Sequence, residues 1–214
     1  MANLITLSRL ILLFLVIWIA YLPLSWAHFG NVALLILVFV TDGLDGYVAR
    51  KRNETSLFGA MFDITVDRIV ELSMWVVLAD LDLVPVWVPL LFVVRGTIVD
   101  TVRANAASSQ GESPFAMIRS PVGRFLVAGK FMRAFYAVTK ATTFCWLLFI
   151  QPIPVVSPPI WNDWSWLLIA IGVTLVWLSV IQCVLRGLPV VIEFVIDQRE
   201  SLLGNLAGKG LKPR

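Results

Sequence analysis

The chain has 214 residues, 59% of them hydrophobic and only 14% charged, with a mean hydropathy of +0.86. That balance excludes an ordinary soluble domain, which needs far more charged surface to stay dispersed. A formal net charge of +3 gives no sign of a nucleic-acid partner, and the length suits one domain.

The apolar runs predict an all-α integral membrane protein with six transmembrane helices, at about 8–27, 30–50, 59–80, 84–105, 125–150 and 164–186. Each run is long enough to cross the ~30 Å hydrocarbon layer. Ahead of the first, residues 1–9 read as a short helix on the cytoplasmic surface, with Asn3, Thr6 and Arg9 on its wet face at three-residue spacing. The first run is too long and too rich in Leu, Ile and Trp for a cleaved signal peptide, so it is expected to be retained. In the turn that follows, His28 beside Trp26 reads as an interfacial residue, since a lone histidine makes a poor metal centre.

Residues 51–58 are a short turn that makes the second and third spans antiparallel neighbours. Beyond the sixth span, Pro189 is expected to open a second surface helix with Glu193, Asp197 and Glu200 on its wet side. This helix would lie in a cytoplasmic tail, 187–214, whose last ten residues read as frayed. Cys145 and Cys183 lie within apolar runs, as expected of buried thiols rather than a disulfide or a thiolate metal site. No repeat or linker divides the chain, so 1–214 reads as a single membrane-embedded domain.

Charge sets the orientation. The turns around 22–29, 79–87 and 151–166 hold Asp80, Asp82, Asp163 and a belt of Trp26, Trp87, Trp161, Trp164 and Trp166, with no Lys or Arg. All seventeen Lys and Arg fall at the other ends of the spans, which makes both termini cytoplasmic.

Four carboxylates lie where a lipid-embedded chain least tolerates them: Asp42 and Asp45 near the end of the second span, Asp63 and Asp67 near the start of the third. Spacings of three and four put each pair on one helix face, so all four can converge across the short turn. Clustered carboxylates repel unless a positive charge joins them. Hard divalent cations such as Mg2+ or Mn2+, which prefer oxygen ligands, are the natural counter-ions. Gly43, Gly46 and Gly59 remove side chains where a polar ligand and a facing helix must come close. Pairing of the acids with Arg50, Lys51, Arg52 and Arg68 is the structural alternative.

Asp42, Asp45, Gly46, Ala49, Arg50, Gly59, Asp63 and Asp67 stand at the spacing of the CDP-alcohol phosphotransferase signature, and the chain resembles that family. The resemblance implies a catalytic domain with two divalent metal ions held by Asp42, Asp45 and Asp63, with Asp67 completing the shell and acting as general base. Gly46, Ala49 and Arg50 would line the pocket of a CDP-linked lipid donor, with Gly59 beside them. An acceptor hydroxyl would attack the lipid-side phosphorus and CMP would leave. Membrane members of the family also lead one to expect a homodimer in the cell membrane.

Cations on the fourth and fifth spans bear on the acceptor. Arg95 and Arg103 are eight apart, hence on one face, and Lys130, Arg133 and Lys140 follow one face of the next span. Lys140 and the loop residue Arg119 read as interfacial. Arg95, Arg103, Lys130 and Arg133 read as a grip on a phosphorylated acceptor. The Arg95–Arg103 pair and the Thr6–Arg9 opening resemble the phosphatidylglycerophosphate synthase branch, which implies glycerol 3-phosphate. Arg68, after the fourth aspartate, is more similar to the inositol-phosphate branch, ranked second; an uncharged alcohol is third. A cation transporter is the rival from another class, but it predicts midplane helix breaks and an inverted repeat, and the sequence carries neither.

Overall fold

The computed structural model describes residues 2–52, 57–110 and 121–209. Among them run α1 (Ala2–Ala20), α2 (Ala27–Arg52), α3 (Leu57–Asp80), α4 (Trp87–Gln110), α5 (Pro121–Ala128), α6 (Lys130–Ile150), α7 (Ile153–Val156) and α8 (Pro158–Lys209), with no strand. The all-α expectation holds.

The first helix corrects the reading of the N-terminal segment. Residues 2–9 are not a separate surface helix but the opening turns of α1, and Thr6 and Arg9 are buried, at 3% and 2% exposure. The apolar stripe Leu7, Ile11, Phe14 and Trp18 is the exposed one. The polar face of α1 turns toward its neighbours, α2 and α3, and the apolar face turns out. α1 then stops at Ala20 rather than at 27, because Pro23 disfavours helical backbone in the residue before it. His28, expected at an interface, is a buried residue of α2, whose Nδ1 accepts from the Ser25 backbone N–H at 3.3 Å.

Other boundaries have local causes. At the end of α3 the Leu83 N–H donates to the Leu78 carbonyl and the Asp82 N–H to that of Ala79, with Asp82 at φ 57°. This is a Schellman cap, and Asp is one of the few non-glycine residues that accept the left-handed position. The expected fifth span is two helices, broken at Gly129. A Cβ there would sit 2.3 Å from the Phe125 carbonyl oxygen, so only glycine fits the junction.

The sixth span and its surface helix prove to be one helix. α8 runs for 52 residues with Pro189 inside it. Pro189 forgoes a backbone bond, a cost of about 3 kcal/mol, but Val190 and Phe194 beyond it pack against Val99, Val102, Val127 and Leu126. That burial holds the helix together through the proline. The tail expected to fray is helical as far as Lys209, and 210–214 lie outside the described residues, as do Arg119 and its loop.

Among the described residues, one helical stretch, Pro158–Ile196 of α8, is long and apolar enough to cross a membrane, with a mean hydropathy of 2.4 over its most apolar 18 residues. Apolar stretches of α1 and α2, Thr6–Ala20 and Ala27–Gly43, are shorter.

The chain divides into two compact units, Met1–Leu90 with Val138–Leu178, and Leu91–Ala137 with Ser179–Arg214. The first is centred on Leu13, Leu35, Val38, Trp75, Leu78 and Phe144, with Trp75 and Phe144 in edge contact at 4.8 Å. Side-chain amides tie the rest of the unit to α1: the buried Asn31 of α2 donates Nδ2–H to the Val16 carbonyl and the half-buried Gln151, just after α6, donates Nε2–H to that of Ala20, each at 3.0 Å. In the second unit Arg186 caps the end of α5, donating to the carbonyls of Leu126 and Val127 at 2.8 and 3.3 Å. Its guanidinium carbon lies 5.2 Å from the Tyr136 ring centroid, within cation–π range.

Candidate metal centre

Helix periodicity builds the site. Asp42 lies late in α2, and Asp63 and Asp67 lie one turn apart early in α3. Their carboxylates converge: one oxygen from each lies within 4.8 Å of the others. The three side chains are 41%, 42% and 49% exposed, so the cluster opens onto its surroundings. Hard oxygen donors at this spacing, reachable from outside, fit the shells that Mg2+ and Mn2+ prefer.

Gly43, beside Asp42, is exposed, and a Cβ there would meet nothing within 4 Å. It leaves room for a ligand and does not serve close helix packing, the other half of the expectation for it. The side chains of Asp45, Gly46, Ala49, Arg50 and Arg103 lie outside the described ones, as do those of Lys51, Arg52 and Arg124. Gly59 is half-buried on the first turn of α3.

The cation among the acids is one the sequence placed elsewhere. Arg9, 2% exposed, directs Nη1 to Asp42 Oδ1 at 2.7 Å and to Asp63 Oδ1 at 3.1 Å, and Nη2 to Asp67 Oδ1 at 2.6 Å. One guanidinium thus spans two helices, as its fork of donors allows. Arg68, a candidate partner for these acids, pairs with Glu71, at 3.0 Å.

Glu71 is the residue the sequence reading missed. It follows Asp67 by four and Asp63 by eight, so the stripe that carries the acids leads to it. Its side chain is 8% exposed and receives Lys140 Nζ at 2.6 Å in addition to Arg68. Lys140 is therefore engaged across helices, and the interfacial reading of it is corrected.

The other cations belong to the second unit. Arg95 is half-buried on α4, and its Nε is buried with no hydrogen-bond partner among the described residues. A Cβ on Gly187 would come within 2.9 Å of Arg95 Cγ and 3.3 Å of Nε, so the arginine stem lies flat across that glycine. Lys130 and Arg133 are exposed at the start of α6. Neither cysteine is in a disulfide; Cys183 is buried as expected, whereas Cys145 is only half-buried.

Among curated proteins, the chain is similar to the CDP-diacylglycerol--glycerol-3-phosphate 3-phosphatidyltransferase of Bacillus subtilis, with 30% identity over 119 residues, 50% of this chain and 62% of the relative. Proteins of the same name from Wigglesworthia glossinidia brevipalpis and Escherichia coli are 45% identical over 65 residues and 35% identical over 68. Those matches cover 30% and 32% of this chain and 36% and 37% of the relatives. The chain thus spans between about a third and three-fifths of the length of the curated relatives it matches. The model of the CDP-alcohol phosphatidyltransferase family matches residues 1–195, a stretch that takes in the three acids and the arginine among them, and the chain belongs to this family.

Proposed function

We propose that this chain transfers the phosphatidyl group of CDP-diacylglycerol to a small alcohol, glycerol 3-phosphate first, and releases CMP. The observation that carries the reading is the convergence of Asp42, Asp63 and Asp67 within 4.8 Å in a member of this family. The names of the three relatives support both donor and acceptor.

On this reading Asp42, Asp45, Asp63 and Asp67 hold two divalent cations, Mg2+ or Mn2+, whose charge would offset that of the diphosphate as its bond breaks. Gly46, Ala49, Arg50 and Gly59 line the donor pocket, and the open space over Gly43 admits the diphosphate. Arg95, Arg103, Lys130 and Arg133 hold the acceptor phosphate; a ligand anion would supply the partner that Arg95 Nε lacks among the described residues. Asp67 then takes the proton of the attacking hydroxyl on a carboxylate oxygen. A bond forms between the acceptor oxygen and the lipid-side phosphorus, and the bond from that phosphorus to the bridging oxygen breaks. CMP leaves with the bridging oxygen. Positioning supplies much of the rate, since little covalent work is asked of the protein.

The reading places the chain in the cell membrane as a six-span homodimer, a single catalytic domain with its site and both termini cytoplasmic. The one-sided Lys and Arg support the orientation, and the outward apolar face of α1 supports the lipid contact. Single cysteines introduced at Ser157 and Lys209, probed with an impermeant thiol reagent in intact cells, test it. Labelling at Lys209 alone would invert the topology.

The reaction is tested with purified protein, CDP-diacylglycerol, Mg2+ or Mn2+, and a panel of glycerol 3-phosphate, inositol phosphate and glycerol. CMP should appear fastest with glycerol 3-phosphate. Preference for inositol phosphate would shift the chain to the second branch, and preference for glycerol would remove the phosphate-binding role of the cations.

A further inference from the structure

Arg9 and a divalent cation lay claim to the same oxygens. The Oδ1 atoms of Asp42, Asp63 and Asp67 that receive the guanidinium lie 2.6–3.1 Å from its nitrogens, and the acids that carry them are the group spaced for a metal ion. Among the described residues three carboxylates face one guanidinium, so Arg9 offsets their mutual repulsion only in part. An arginine does not relieve the conflict by losing its proton. Nor can its side chain readily swing into solvent, because Arg9 is 2% exposed on a helix packed against both α2 and α3.

We propose that Arg9 is a positioning residue of the acid site. It keeps Asp42, Asp63 and Asp67 converged when metal is absent, and it gives up part of its hold when metal arrives. Arg9 thereby weakens metal affinity, and in exchange the unloaded site keeps its shape. The inference rests on the reading of these acids as a metal site. A salt bridge that merely pins α1 to its neighbours would affect stability but leave metal affinity alone.

The two roles separate with Mn2+ alone as probe, in the full chain in detergent, without substrate or turnover. Binding is read from the loss of the free Mn2+ resonance, and thermal unfolding is followed with and without Mn2+, for wild type, Arg9→Gln and Arg9→Lys. Removing a unit positive charge about 5 Å from a divalent ion should tighten Mn2+ binding about tenfold or more, even with the full screening of water. Metal-free Arg9→Gln should melt below wild type, and Mn2+ should recover most of the difference. Arg9→Lys keeps the charge without the fork, so its affinity should stay within a few-fold of wild type; it also serves as the readable variant should Arg9→Gln not fold, and a tenfold gain in it would count against competition by charge. Unchanged or weaker Mn2+ binding by Arg9→Gln overturns the proposal. Failure of the wild type itself to bind Mn2+ would remove the metal reading, and this inference with it.

Discussion

α3 carries two charged clusters one turn apart, and they are built in opposite ways. At Asp63 and Asp67, joined by Asp42, three carboxylates that are two-fifths to one-half exposed surround one buried guanidinium. At Glu71, among the described residues, one carboxylate, 8% exposed, meets Arg68 and Lys140. The first has more acid than base and is open, so it retains negative charge that an external cation can answer. The second has base to spare and is closed, so its charges answer each other. Charge balance and access, more than the mere presence of acids in an apolar helix, separate a ligand site from a structural tie.

Substitutions that keep shape and remove charge should split the two clusters. Asp67→Asn retains size and one oxygen ligand but cannot accept the hydroxyl proton. It should insert, bind CDP-lipid with metal, and lose about 10²–10⁴-fold in kcat. Asp42→Asn should weaken metal and CDP-lipid binding together, since on the proposed reading the carboxylate charge is itself the ligand. Metal-dependent lipid binding measured beside single-turnover CMP release distinguishes them; near-normal turnover by Asp67→Asn would remove Asp67 as the base.

Glu71→Gln should instead act on stability. Leaving Lys140 and Arg68 without the buried carboxylate should cost about 3–5 kcal/mol, read as earlier unfolding in detergent. The double variant Glu71→Gln, Lys140→Met should recover part of that loss. A drop in metal affinity equal to that of Asp42→Asn would erase the distinction between the clusters.

The smallest effects belong to the second unit. Arg95→Ala should raise the acceptor KM about ten- to a hundredfold with little change toward the donor, as expected for a lost charge-assisted contact. Gly187→Ala displaces the Arg95 stem and should raise the same KM a few-fold. In an Arg95→Ala background it should add nothing. An equal loss toward CDP-lipid would place Arg95 in the donor pocket instead.

The acids were legible because three- and four-residue spacings across a short turn leave few arrangements other than convergence, and the structure brings Asp42, Asp63 and Asp67 together as expected. Arg9 was not. Its spacing from Asn3 and Thr6 shows that the three share a face, but not whether that face is wet or turned inward. In a chain with an apolar exterior the polar face turns inward, the reverse of a soluble amphipathic helix. Glu71 was on the stripe already drawn through Asp63 and Asp67, and extending it one turn would have found it. Helix content was readable from apolar runs, whereas the continuity of α8 through Pro189 depends on Val190 and Phe194 meeting α4 and α5 residues distant in sequence. The break at Gly129 depends on the approach of the Phe125 carbonyl, which no local pattern reveals.

The direct test of the acid cluster as a working metal site is CMP release by the purified chain after bound metal has been stripped, with CDP-diacylglycerol and glycerol 3-phosphate both present. No CMP should form in excess EDTA, and Mg2+ or Mn2+ should restore turnover. Full turnover in EDTA would contradict the assignment of Asp42, Asp63 and Asp67 to metal.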